Sequence, residues 1–269
     1  MYDFRSPTWS TNEQVVSNAN KLTAKDRPRK FNATLRFSHR PPYEPLFAER
    51  VPILQAFQSA CANYAYKRAQ ATQTLKGRLV NLLNPEAFPF RGVECGVYMG
   101  SSLIACALMA RDTAMPYRMI GMDTFSGLPP LSAKDRSLAP MEASYLNTHV
   151  FADTSIKFVQ EEIAKAGLER HVELRQGLFS EILPTLPDQR YHFVNIDCDL
   201  YEPHIECLEH FYPRMESGGI IFFDDYHSVE FPMARQAIDD YMRDKPEQLL
   251  HLRFGEEGIN RTKCFFVKY

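Results

Sequence analysis

Short apolar and β-branched runs, broken by polar turns, recur along the chain from about residue 90 onward, and their spacing sets the expected elements. Residues 92–95, 118–122, 172–174, 192–196 and 220–223 have the character of buried parallel strands. Between these runs the period changes to three or four. A helix is expected over 101–110, and Ile156, Val159 and Ile163 give one face of a second that ends near residue 166, with Asp153, Thr154 and Ser155 as cap candidates. Residues 180–186 read as a short helix or turn. Ile205, Leu208 and Tyr212 predict a helix over 202–215, which Pro213 and the Ser217, Gly218, Gly219 turn should stop. Pro232 fits the first turn of a helix running to Met242. Residues 250–254 and 262–269 read as two closing strands, an antiparallel hairpin at the sheet edge. Upstream, Ile53, Phe57, Cys61 and Tyr64, followed by Leu75, Leu79 and Leu82, predict two helices within 48–83.

Strand and helix in alternation predict an α/β domain over 48–269. Residues 1–47 are rich in Asn, Ser, Thr, Arg and Pro and form an extension, either an oligomer arm or a lid that brings Arg36, His39 or Tyr43 to a substrate. At 269 residues and 45% hydrophobic content the chain can build a sizeable core. Net charge is only -2, with 31 Lys and Arg scattered among 33 Asp and Glu, so neither a nucleic-acid groove nor a membrane surface is expected. The N-terminus lacks an apolar export core, and a cytoplasmic protein is expected. Its six cysteines show no CxxC pairing and read as buried free thiols.

Chemistry concentrates where the strands stop. Asp197 with Asp199 follows one run and Asp224 with Asp225 follows the next, so neighbouring parallel strands deliver up to four carboxylates to one edge of the sheet. Such a group needs positive charge among it, and a divalent cation bound by oxygen is the simplest candidate. Asp199 is either a further ligand or a cap for the following helix. Earlier, Glu94 ends the first strand, Gly96 and Gly100 permit a tight turn with close ligand approach, and Ser101 and Ser102 open a helix whose amides favour an anion. Asp123 ends the second strand, the usual place for a ribose partner. A dinucleotide turn would want glycines where Tyr98 and Ser101 stand, and Glu94 would repel a diphosphate. S-adenosylmethionine, a nucleoside with an amino acid and a sulfonium, fits better. Gln176, Gly177, Leu178 and Phe179, after the third strand, could close over its adenine ring.

Five ordered blocks carry a family resemblance. Glu94-Cys-Gly-Val-Tyr-Met-Gly-Ser-Ser, Asp123-Thr-Phe-Ser-Gly-Leu-Pro, Gln176-Gly-Leu-Phe with Leu183-Pro-Thr-Leu-Pro, Asp197-Cys-Asp-Leu-Tyr-Glu, and Gly218-Gly with Phe223-Asp-Asp-Tyr resemble the macrocin O-methyltransferase family over roughly 91–242. The resemblance implies a Rossmann-like class I methyltransferase fold, with a seven-stranded, mostly parallel sheet, one antiparallel edge strand and helices on both faces. It also implies S-adenosylmethionine as donor, Mg2+ or another divalent ion, and methylation of a hydroxyl on a small metabolite such as a natural-product sugar. Carried over block by block, the resemblance assigns Glu94, Gly96 and Asp123 to the donor and Asp197, Asp224 and Asp225 to the metal; with the neighbouring turn and loop residues Tyr98, Gly100, Ser101, Ser102, Thr124, Phe125, Gln176 and Gly177 these make the expected donor site. Asp197 or His227 would be the base. Expected partners are the small hydroxylated substrate and further copies of the chain in a homo-oligomer. A nicotinamide-dependent oxidoreductase and a non-catalytic nucleoside-binding descendant are the competing readings.

Overall fold

The computed structural model describes residues 46–73, 88–113, 115–139, 150–254 and 261–269. In chain order the longer elements are α1 (Leu46–Ala71), β1 (Phe90–Cys95), α2 (Ser101–Asp112), β2 (Tyr117–Asp123), α3 (Ala133–Leu138), α4 (Ile156–Lys165), β3 (Val172–Gln176), α5 (Phe179–Ile182), β4 (Tyr191–Ile196), α6 (Tyr201–Phe211), β5 (Met215–Phe223), α7 (Pro232–Met242), β6 (Leu250–Phe254) and β7 (Arg261–Val267). The expected helix around Leu75, Leu79 and Leu82, and the extension through residue 45 with Arg36, His39 and Tyr43, lie outside the described residues.

The seven strands form one sheet in the order β3-β2-β1-β4-β5-β7-β6. Strands β1 to β5 pair in parallel, and the β6–β7 hairpin closes one edge, with β7 antiparallel to both neighbours. Strand order reverses beside β1, where β2 lies on one side and β4 on the other, and open α/β sheets bind ligands at such a switch point. Alternate residues serve two cores. Phe193, Ile220 and Phe222 face α1 and α2, whereas Val194, Ile196, Ile221 and Phe223 face α6 and α7. On the first face Phe57 of α1 meets Phe90 and Phe193 edge-on, with ring centroids 5.3 and 5.1 Å away. All six cysteines are buried thiols.

The expected strands run a little longer than their apolar cores, and β5 differs most. Ser217, Gly218 and Gly219 lie inside it rather than in a turn before it. Gly218 has φ 77° and the pairing with β4 shifts register there, so the glycines form an irregularity within the strand. Backbone partners from elsewhere keep it in the sheet: Gly218 N–H donates to the Lys268 carbonyl at 2.6 Å, and Asn63 of α1 donates to the Gly218 carbonyl at 2.8 Å. Ser155, one of three cap candidates, caps α4 by accepting the Phe158 N–H.

Candidate active site

The ends of β1, β2, β4 and β5 open into one cleft of about 1240 Å³, larger than a typical single-ligand pocket. Backbone bonds carry the parallel ladder one residue past the strands: Asp197 N–H reaches the Cys95 carbonyl, Asp224 N–H the Ile196 carbonyl and Gly96 N–H the Met122 carbonyl. The glycine at 96 is required by the protein itself. With φ 89°, a Cβ there would lie 1.6 Å from the Asp197 carbonyl oxygen, so the turn after β1 rests directly on the acidic segment after β4. Gly100, φ 81°, is the N-cap of α2 and packs against Val159 of α4, leaving the helix without a side-chain cap. Protein contacts alone thus already demand glycine at both positions.

Gly96, Tyr98, Ser101, Ser102, Asp123, Thr124 and Gly177 line the cleft. Glu94, Gly100, Phe125 and Gln176 do not line it; the first three are buried, and Gln176 is exposed at the end of β3. Glu94 is buried on β1, and its Oε1 accepts from Ser102 Oγ at 2.5 Å and Asn195 Nδ2 at 2.8 Å. Its charge therefore reaches a ligand through those two lining residues. Asp123 is more engaged than the ribose expectation supposes. Its Oδ2 accepts from the Val97 and Tyr98 amides at 2.7 and 2.8 Å, and its Oδ1 from the Phe125 amide at 2.7 Å. A carboxylate has about four acceptor sites, which leaves roughly one for a hydroxyl. Gln176 donates to the Thr124 carbonyl at 3.1 Å, tying the end of β3 to the loop after β2.

Across the cleft, Asp197, Asp224 and Asp225 bring carboxylate oxygens within 4.8 Å of one another. Two oxygens on opposite sides of an ion at ~2.1–2.5 Å would be about 4–5 Å apart, so the trio suits a hard divalent cation. Burial first, then Asp224, Asp225 and Asp199, push the Asp197 carboxyl well above its ordinary range. Burial and Asp224 push Asp225 up to about 7. Asp199 is raised too, first by burial and then by Asp225. It does not cap α6. Its φ of 61° takes the chain into a turn, its N–H donates to Asp225 Oδ2 at 3.2 Å, and Leu200 holds the cap position. The first amide of α6, Tyr201 N–H, instead donates to Asp135 Oδ1 at 2.6 Å from α3.

Sequence reasoning missed three residues of this site. Lys263 on β7 donates to Asp224 Oδ2 at 2.5 Å and to the Asp224 carbonyl at 2.9 Å. Burial alone would lower its pKa, but the Asp224 carboxylate outweighs that and holds the ammonium above its ordinary value. Asn195, a buried amide on β4, carried a visible signal as the polar interruption of an apolar run. Asp135 had none. His227 lines the cleft rim, and its Nε2 lies 3.1 Å from His251 Nδ1. Burial and the neighbouring His251 lower its pKa, so it is neutral near pH 7.

The switch-point cleft and the sheet order define a class I methyltransferase fold. The chain belongs to the macrocin-O-methyltransferase (TylF) family, whose model matches residues 69–250. It is 30% identical over 152 residues to a mycinamicin III 3''-O-methyltransferase of Micromonospora griseorubida, covering 55% of this chain and 59% of that one. It is 31% identical over 153 residues to an 8-demethyl-8-(2,3-dimethoxy-alpha-L-rhamnosyl)-tetracenomycin-C 4'-O-methyltransferase of Streptomyces olivaceus, covering 55% and 56%. The matches thus span little more than half the length of these curated relatives. The calicheamicin methyltransferase CalS11 superposes with a TM-score of 0.56 at 20% identity over 99% of this chain and 94% of that one. The O-methyltransferase NovP gives a TM-score of 0.56 at 24% identity over 76% and 78%. No helix among the described residues is long and apolar enough to cross a membrane.

Proposed function

We propose that this protein transfers a methyl group from S-adenosylmethionine to a sugar hydroxyl of a glycosylated natural product, with a divalent ion such as Mg2+ at the acidic trio. One observation carries the reading: the glycine turn after β1 and three converging carboxylates line one cleft, joined through the Gly96–Asp197 contact. The names of the two curated relatives, a 3''-O-methyltransferase of mycinamicin III and a 4'-O-methyltransferase of a rhamnosyl tetracenomycin, support the acceptor class. Family membership removes the footing of the nicotinamide alternative.

In this reading the uncapped start of α2 holds the donor's carboxylate, and Ser102 and Asn195 orient its amine with Glu94 behind them. Asp123 keeps the turn closed through the Val97 and Tyr98 amides and gives its remaining acceptor site to the ribose. Asp197, Asp224 and Asp225 would hold the ion, which when bound lowers the pKa of an acceptor hydroxyl and orients it. Asp197, at the meeting point of the acidic trio and the cleft, takes the hydroxyl proton as the new O–C bond forms and the C–S bond breaks. His227 is placed as an acceptor contact, because its Nε2 is committed to His251 at the exposed rim.

Calorimetry with S-adenosylhomocysteine tests the donor half; no binding at millimolar ligand would sink it. For the acceptor half, radiolabelled methyl transfer to a panel of macrolide glycosides and simple catechols should label the glycosides. Transfer to catechols alone would overturn the sugar assignment.

A further inference from the structure

Three carboxylates gathered within 4.8 Å repel one another unless they take up protons or lie beside a cation. The topology supplies one. Because β7 runs antiparallel beside β5 with Phe223 opposite Cys264, the residue after the strand, Asp224, comes level with Lys263. The ammonium is held at two points, the Asp224 carboxylate and the Asp224 carbonyl, and the side chain is 14% exposed. It is a fixed part of the cleft lining, not an arm reaching in from solvent.

We propose that Lys263 is the resident cation of the acidic cluster: it holds Asp224 in place when the cluster is empty, stays when a divalent ion binds, and weakens that ion's binding. The inference rests on reading Asp197, Asp224 and Asp225 as ligands. With Oδ2 of Asp224 occupied by the ammonium, Oδ1 remains to be given to an ion. Charge supports the arrangement. One ammonium and one divalent ion together match the three ligand carboxylates, and Asp199 beside Asp225 adds a fourth carboxyl, so the ammonium and the ion do not overfill the site with positive charge. The lysine therefore acts as a positioning residue that keeps the site intact between turnovers and the ion exchangeable.

The test is Mn2+ binding by calorimetry, with thermal unfolding in EDTA and in Mn2+, on the full chain and its Lys263→Met and Lys263→Arg variants. Removing a like charge beside a divalent ion should tighten Mn2+ binding about ten-fold in Lys263→Met. In EDTA that variant should melt about 5 °C lower, with the gap closing in saturating Mn2+. Lys263→Arg keeps the charge and should stay within about three-fold of the native affinity. Native binding of Mn2+ with unchanged or weaker binding by Lys263→Met would overturn the inference while leaving the ligand assignment standing. Absence of Mn2+ binding by all three proteins would remove the ligand assignment and the shared site with it.

Discussion

Replacing Gly96 by alanine would put a methyl group where the Asp197 carbonyl already sits. The added Cβ would lie 1.6 Å from that oxygen and 2.7 Å from its carbon, both backbone atoms that cannot rotate away. The residue would also have to hold φ 89°, which costs an L side chain about 1–2 kcal/mol before any clash. Relieving the overlap means parting β1 from the segment after β4, and overpacking of this kind adds about 1–3 kcal/mol. A total near 4 kcal/mol corresponds to a Tm loss of roughly 10 °C for a domain of this size. Gly167→Ala is the control. That residue also has positive φ, 68°, but a Cβ there meets nothing within 4 Å, so its expected loss is only about 1 kcal/mol. Differential scanning calorimetry on both variants separates strain from collision, and S-adenosylhomocysteine affinity should fall at least ten-fold for Gly96→Ala alone. Equal Tm values for the two variants would refute the claim that the turn rests on the Asp197 carbonyl.

Asp224→Asn should abolish the divalent-ion dependence of methylation and lower turnover at least a hundred-fold while S-adenosylhomocysteine affinity stays within about three-fold. Full turnover by this variant in excess chelator would contradict the metal reading. The empty cluster also predicts an unusual pH profile. Asp225 titrates near 7 in the folded chain and near 4 when unfolded, so the folded state binds the extra proton between those values. Stability conferred by that proton is present at low pH and is lost as pH rises through about 7. In EDTA the Tm should drop from pH 5 to pH 8, and Asp225→Asn should flatten the drop; an identical slope in the variant would count against it. Asp135→Ala strips the Tyr201 amide of its acceptor and the Ser132 amide of another, with an expected cost of about 2 kcal/mol and several degrees of Tm. A shift under 1 °C would show that Asp135 does not hold α6.

The strand ends were legible because each is an apolar run that stops at an acid: Glu94 within β1, Asp123 at the end of β2, Asp197 after β4, and Asp224 with Asp225 after β5. The donor turn was legible as a segment but not in its contacts. Gly96 looked like a place for a ligand to approach, and only the parallel pairing of β1 with β4 brings the Asp197 carbonyl against it. Lys263 lies 39 positions from Asp224, and nothing local says that β7 inserts between β5 and β6. Asp135 reaches Tyr201 across 66 positions from a short helix in a polar loop, for which the chain offered no period to read. Asp199 looked like a cap by composition. Backbone conformation decided otherwise, since its left-handed φ turns the chain and hands the cap position to Leu200.

The main-chain contact between Gly96 and Asp197 has a consequence for anyone redesigning this protein for a new acceptor. Under the proposed function this puts the donor turn and the acidic segment in direct main-chain contact, so substitutions that shift the chain at 96–98 or 197–199 should alter both at once. The rim from Ser228 to Phe231 is different. Val229 is 87% exposed there, and this stretch lines the same cleft. Libraries aimed at acceptor range belong at Val229 and its exposed neighbour Glu230, whereas Phe231 is a buried core residue that should be kept.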